Sequence, residues 1–335
     1  MLYHIDLTKM IHGAIESFQK SSRKLPLSLD LLIFLLVSTI ATAPQSILQG
    51  FILSAIIIFD PYFIELFSSG AADSSTAAQA TSYLLESIPT WAYALLLFAS
   101  GFMIIASILY CKLFEKRKPY TLGFTSKDCV SEYVMGIFIG LIMISIPVLV
   151  CKLTGCVTFA VSETSSPIMI TIFFVAFLFQ GMGEEALFRG YLMTSLARKT
   201  NIWSAIILNS LMFALFHVGN ASFSFIAFLN LCLFGIFSSV FMLKRGSIWA
   251  VGAIHSIWNF AQGNVFGFNV SGNPKFDTLL ESTQAGFGKI LHGGDFGPEG
   301  GLGVTAVLLA AIAIALLLPT KASEKIGTPQ SAQPE

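Results

Sequence analysis

The sequence predicts an all-α polytopic membrane protein with about eight transmembrane helices, the residues able to do chemistry lying on helices four to seven. Three observations predict it. Of 335 residues, 55% are hydrophobic and only 11% charged, with a mean hydropathy of +0.76, whereas soluble domains are about a quarter charged. Several apolar runs reach roughly 18 residues or more, enough to cross ~30 Å of hydrocarbon. Lysine and arginine gather at alternate ends of those runs, as the positive-inside rule requires. The formal net charge is zero, so no global field favours nucleic acid as a partner. The lipid bilayer is the expected partner instead.

The chain reads as a cytoplasmic segment over 1–28, one transmembrane domain over 29–319 with a motif core at 167–266, and a cytoplasmic tail over 320–335. Spans are expected at 29–59, 89–111, 133–151, 167–199, 202–218, 223–243, 247–266 and 302–318. Pro44 predicts a kink in the first. The first 25 residues are interrupted by His4, Asp6, His12, Glu16 and Arg23, which argues against a cleavable leader and makes the first span the signal. Arg23 and Lys24, the Lys112 to Lys118 group, Arg198 and Lys199, Lys244 and Arg245, and Lys321 and Lys325 share one side. Both termini are therefore expected in the cytoplasm. The opposite loops hold Lys152, Lys275 and Lys289 against nine carboxylates, among them Asp60, Glu65, Asp277 and Glu299.

Residues 68–82 are rich in Ala, Ser and Thr and read as a flexible external loop. The glycine-rich stretch 263–303 reads as an ordinary external loop, a lid or a partly re-entrant segment. The five cysteines have no CxxC spacing, so they read as small packing residues, Cys151 and Cys156 being near enough for a disulfide. Neither a solenoid period nor an inverted repeat is visible.

The fourth span carries Glu184, Glu185 and Arg189. Each charge at mid-bilayer costs roughly 2.5–3.5 kcal/mol, more than an anchoring helix would carry without a task. Glu185 and Arg189 are four apart and share a face, whereas Glu184 is turned about 100° away. The pair can neutralise itself and leave Glu184 free, although the same pair could equally be structural. The fifth span ends with Phe213 and His217, and the seventh holds His255 and Asn259 at a spacing of i, i+4. If the fourth helix runs unbroken to its turn near residue 200, Glu184 and His217 both lie about sixteen residues from it, roughly 24 Å up. His255 and Asn259 rise roughly 14 to 20 Å from Gly246, into the same layer. Gln180, Asn209, Asn230 and Gln262 read as interhelical hydrogen-bond donors and acceptors.

A carboxylate beside an imidazole in a water-poor site can activate water. A second imidazole and an amide suit an oxyanion. The alternative is a metal site with Glu184, His217 and His255 as ligands, two His and one Glu being a catalytic zinc set. The HExxH spacing that would make zinc specific is absent.

The ordered motifs EExxxR (Glu184, Glu185, Arg189), FxxxH (Phe213, His217) and HxxxN (His255, Asn259) resemble the CPBP family of intramembrane proteases. That family contains the type II CAAX prenyl endopeptidases and bacterial members linked to bacteriocin processing and self-immunity. The resemblance covers 181–260, Gly246 to Trp249 included, with no departure from the pattern, and 263–303 is similar to bacterial members. It implies a hydrolase in a bacterial inner membrane acting on a membrane-associated or lipidated protein or peptide. In it Glu184 and His217 activate water, His255 and Asn259 stabilise the oxyanion, and Glu185, Arg189 and Phe213 support them. Family members are also named metalloproteases, so zinc stays open. The rival readings are a proton- or ion-coupled transporter using the same charges as a relay, and a non-catalytic scaffold or immunity protein.

Overall fold

An amide without a partner is so costly in hydrocarbon that an apolar run there has little choice but to close its hydrogen bonds along its own helix. The computed structural model describes residues 26–69 and 74–320 and bears this out. Helix α1 (Leu27–Phe59) contains Pro44 without interruption, and α2 (Pro61–Ser69) and α3 (Ser74–Glu86) follow it. Next come α4 (Thr90–Ala99), α5 (Phe102–Leu113) and α6 (Cys129–Leu153). The second half holds α7 (Pro167–Glu185), α8 (Ile202–Leu215), α9 (Phe225–Arg245), α10 (Trp249–Phe260) and α11 (Leu302–Leu317).

Among the described residues, five helical segments are long and apolar enough to cross a membrane: 27–59, 90–113, 129–153, 167–197 and 225–245. The other three expected spans are shorter, α8 with 14 residues, α10 with 12 and α11 with 16. At 1.5 Å per residue, 14 residues reach only ~21 Å. Large apolar side chains point outward from the long helices, Leu32, Leu36 and Phe51 on α1 and Phe138, Ile142 and Leu149 on α6. A surface of that kind is matched to lipid rather than to water.

One expectation is corrected and two hold. The loop foreseen over 68–82 is helical wherever it is described, in α2 and α3, because alanine's helix propensity outweighs the loop-like look of an Ala/Ser/Thr tract. The all-α class holds with one addition: β1 (Val157–Val161) and β2 (Leu280–Gln284) form an antiparallel ribbon, Val157 opposite Gln284 and Val161 opposite Leu280. Cys151 and Cys156 pack as small apolar residues, as expected, free thiols beside Val148, Val157 and Phe268. The cationic termini foreseen around Arg23, Lys24, Lys321 and Lys325 lie outside the described residues, as do residues 70–73.

The cationic span ends that are described pair off at one end of the bundle. Arg245 grips Glu132 through Nε at 3.0 Å and Nη2 at 2.5 Å, joining α9 to α6. Lys244 Nζ donates to the carbonyls of Leu316 and Leu318 and caps α11. Arg117 and Arg198 share Glu115.

Helix α10 is the hub, sandwiched between α6 and α7. Its neighbours reach it through glycine: a Cβ on Gly140 of α6 would lie 2.7 Å from the Ile254 carbonyl oxygen. Small residues let backbones approach this closely where no hydrophobic effect separates helix from lipid.

Candidate active site

The acidic motif sits where α7 changes its winding. Glu184 and Glu185 end the α-helical part, and Ala186–Met193 continues as a wider π-helical turn in which all eight residues are buried. The helix foreseen as unbroken is thus locally unwound, as is common at functional sites. On the preceding turn a Cβ at Gly181 would lie 2.5 Å from the backbone nitrogen of Ser256. That contact sets α7 directly against α10 and brings both carboxylates to His255.

Glu185 is the centre of a closed set. Its Oε1 accepts from Arg189 Nη1 at 2.9 Å and lies 2.9 Å from His255 Nδ1. Neither Glu185 nor Arg189 is reached by solvent. The guanidinium carbon stands 4.4 Å from the centroid of the Phe213 ring. Arg189 Nε and Nη2 have no hydrogen-bond partner among the described residues, so ring quadrupoles supply part of the solvation they lack. Because a carboxylate only accepts, Nδ1 of His255 carries a proton and Nε2 is turned the other way.

Glu184 faces elsewhere. Gln180 Nε2 donates to its Oε1 at 2.6 Å, and Asn259 Nδ2 donates to Gln180 Oε1 at 2.9 Å. The second oxygen, Oε2, is buried without a hydrogen-bond partner among the described residues, 3.7 Å from His255 Nε2. The expectation that Glu184 has no local partner is therefore corrected: Gln180, one turn earlier on the same face, holds one of its oxygens.

His217 lies just past the end of α8 rather than within it, in a tightened turn whose His217 amide donates to the Ala214 carbonyl. Its Nδ1 is 2.8 Å from the Phe213 carbonyl oxygen. A carbonyl can only accept, so Nδ1 is the protonated nitrogen and Nε2 of the neutral ring keeps its lone pair. Phe213 thus positions His217 by its carbonyl and Arg189 by its ring.

Glu184, His217, His255 and Asn259 all line one cavity with about 80 Å³ of space, room for several water molecules. More of the molecule contributes than helices α7 to α10. Tyr93 and Leu97 of α4, Val304 and Leu308 of α11, and Val270, Ser271, Asn273 and Glu299 of the glycine-rich stretch complete the wall. That stretch is therefore no plain surface loop. It packs back on the protein with Phe268, His292, Phe296 and Glu299 buried, and Asn264 Nδ2 binds the carbonyls of Phe276 and Asp277.

Gln180 is the interhelical hydrogen-bonding residue expected, through Asn259, but its bond to Glu184 was overlooked although their i, i+4 spacing made it legible. Glu299 carried no local signal at all. Asn230 does serve as interhelical glue, donating to the Glu299 and Gly301 carbonyls and accepting from Thr305, and Asn209 donates to Ser239.

Among the described residues no group of three or more His, Cys, Asp or Glu side chains that could hold a metal ion is found. Glu184 Oε2 and the Nε2 atoms of His217 and His255 make no hydrogen bond among those residues. No step below passes through a metal.

Residues 166–261, which run from the start of α7 to the end of α10, match the family model for type II CAAX prenyl endopeptidase Rce1-like proteins. The matched stretch is the one that carries Glu184, Glu185, Arg189, His217, His255 and Asn259. The match agrees with the long apolar helices in indicating an integral membrane protein. No curated protein gives a significant match to the chain.

Proposed function

We propose that this chain, protease-like over residues 166–261, is an intramembrane endopeptidase of a bacterial plasma membrane with both termini in the cytoplasm. It hydrolyses a peptide bond in a membrane-associated or lipidated protein or peptide. The observation that carries the reading is Glu184 Oε2, a buried carboxylate oxygen with no hydrogen-bond partner among the described residues, in a cavity it shares with His217, His255 and Asn259.

An unpartnered carboxylate oxygen asks for a donor, and water is the donor that hydrolysis consumes. A water held between Glu184 Oε2 and the lone pair of His217 Nε2 gives its proton to the carboxylate as its oxygen attacks the scissile carbonyl carbon. The oxyanion accepts from the second amide proton of Asn259 and from Nε2–H of His255, which donates there only as an imidazolium with Nδ1–H on Glu185. Glu184 then passes its proton to the leaving nitrogen as the C–N bond breaks. A carboxylic acid and an amine result, and the enzyme returns to its starting charge.

Glu185 and Arg189 act through His255 and Phe213, holding ring orientations rather than touching substrate. The test is cleavage of internally quenched membrane and lipidated peptides by purified protein beside Glu184→Gln and His217→Ala. Cleavage lost in both variants supports hydrolysis. Undiminished cleavage by Glu184→Gln would overturn the reading, and so would a wild-type protein that cuts nothing while transporting ions.

A further inference from the structure

Glu299 is a second carboxylate in the same cavity, 34 residues beyond the π-helical end of α10, and the proposed hydrolysis gives it no task. It is nine-tenths buried, at 9% exposure. Its Oε2 accepts twice from one residue, from the Ser271 amide at 2.8 Å and the Ser271 hydroxyl at 2.6 Å. Its own carbonyl is held by Asn230 Nδ2 at 2.7 Å, so the side chain starts from a fixed backbone. Oε1 makes no hydrogen bond among the described residues.

Structure alone does not account for the charge. The two bonds to Ser271 need only an acceptor, and a glutamine would supply one without the cost of burying an anion. No lysine or arginine neutralises it, and the His255 ring is engaged by Glu184 and Glu185 instead. None of the described side chains lining the cavity is Lys or Arg, and nearby Lys275 turns its Nζ to the Gly267 carbonyl at 2.7 Å. Arg189 is committed to Glu185, behind the cavity wall. Glu184 adds a second negative charge to the same space. In a poorly solvated cavity such a field attracts cations and repels carboxylates far more strongly than in water.

We propose that Glu299 is a specificity-determining residue, receiving on Oε1 a positively charged group of the substrate, an ammonium or guanidinium, held in the cavity with the bond to be cut. The proposal rests on the hydrolytic reading above and deepens it. The favoured peptide carries a cationic group near the scissile bond with apolar neighbours, for which Val270, Val304 and Leu308 provide the flanking wall. A peptide presenting a carboxylate at that point is disfavoured. The cation can be a Lys or Arg side chain or a free amino terminus, and paired peptides separate the two.

The experiment uses the full-length protein in detergent and quenched apolar peptides with Lys, Gln or Glu scanned around the centre, each with a free or an acetylated amino terminus. In wild-type protein kcat/KM is expected to favour the Lys peptide at least tenfold over Gln and to be lowest for Glu. If acetylation instead abolishes the preference, the amino terminus is the cation. Glu299→Gln should bring the Lys to Gln ratio close to one, while Ser271→Ala, which keeps the charge, should retain the preference. An unchanged ratio in Glu299→Gln, or a preference for Glu peptides in wild type, overturns the proposal.

Calorimetric binding of the same peptides to Glu184→Gln protein is the second measurement. Charge-ordered binding without any cleavage by wild type leaves the subsite standing and removes the hydrolytic reading. Cleavage without charge order does the reverse.

Discussion

Arg189 Nη1 holds Glu185 Oε1 at 2.9 Å in a place neither side chain shares with solvent. A buried ion pair of this kind is worth little against an apolar replacement of both partners, yet breaking it from one side costs about 3–5 kcal/mol. Arg189→Met alone should therefore lower stability by that amount, since Glu185 keeps an uncompensated charge. The double variant Glu185→Gln/Arg189→Met should recover much of the loss, because the amide oxygen can still accept from His255. Thermal unfolding of the four proteins of the cycle in one detergent measures it; equal losses in the single and double variants would refute the pairing argument.

Glu184→Gln removes the proposed base and keeps the shape. Proton transfer by a positioned side chain contributes about 10²–10⁴-fold, so kcat should fall within that range while peptide binding persists. Single-turnover cleavage next to calorimetric binding separates the two effects.

Gln180 orients that carboxylate through Oε1 and positions Asn259. A hydrogen bond to a charged group is worth about 1.5–3 kcal/mol, or roughly ten- to a hundredfold. Gln180→Leu should lower kcat by that factor with little change in KM. If only KM moved, Gln180 would belong to substrate binding.

For a reaction that passes through Glu184 without a metal, chelator should leave the rate unchanged. Elemental analysis of active protein should find well under one zinc per chain. Loss of activity with chelator, restored by zinc, would return His217 and His255 to the role of ligands.

Gly140→Leu drives a side chain into α10, where its Cβ would meet Ile257 Cγ2 as well as the Ile254 carbonyl. Overpacking against backbone should cost about 1–3 kcal/mol or more and displace His255 with the helix. Gly50→Leu on α1, with nothing within 4 Å of its Cβ, should be silent in the same melting experiment.

What the sequence made legible follows the range of its local rules. The i, i+4 spacing foretold the Glu185 and Arg189 pair, and carboxylates in an apolar run foretold that α7 is more than an anchor. Equal heights counted along ideal helices were a fair guide to Glu184 and His217 sharing a cavity, although the π-helical turn alters the rise and phase assumed for that count. Nothing local announces that Glu299 comes back to the cavity or that residues 280–284 pair with 157–161. The ribbon closes over more than a hundred residues and Glu299 bonds residues 28 and 69 positions away, and no periodicity records either. The described parts of 68–82, helical at 68–69 and 74–82, were misread for the opposite reason, small polar residues suggesting flexibility where alanine content decided the backbone.

The ribbon of β1 and β2 makes two distant connections into a single mechanical part. Asp277 Oδ1 accepts from the amide of Ser166, the cap residue at the head of α7, and Asn264 clasps the chain at 276 and 277 just past α10. The ribbon and its flanking turns are thus tied to the ends of both helices that carry Glu184 and His255, so a displacement of this part of the chain pulls on α7 and α10 together.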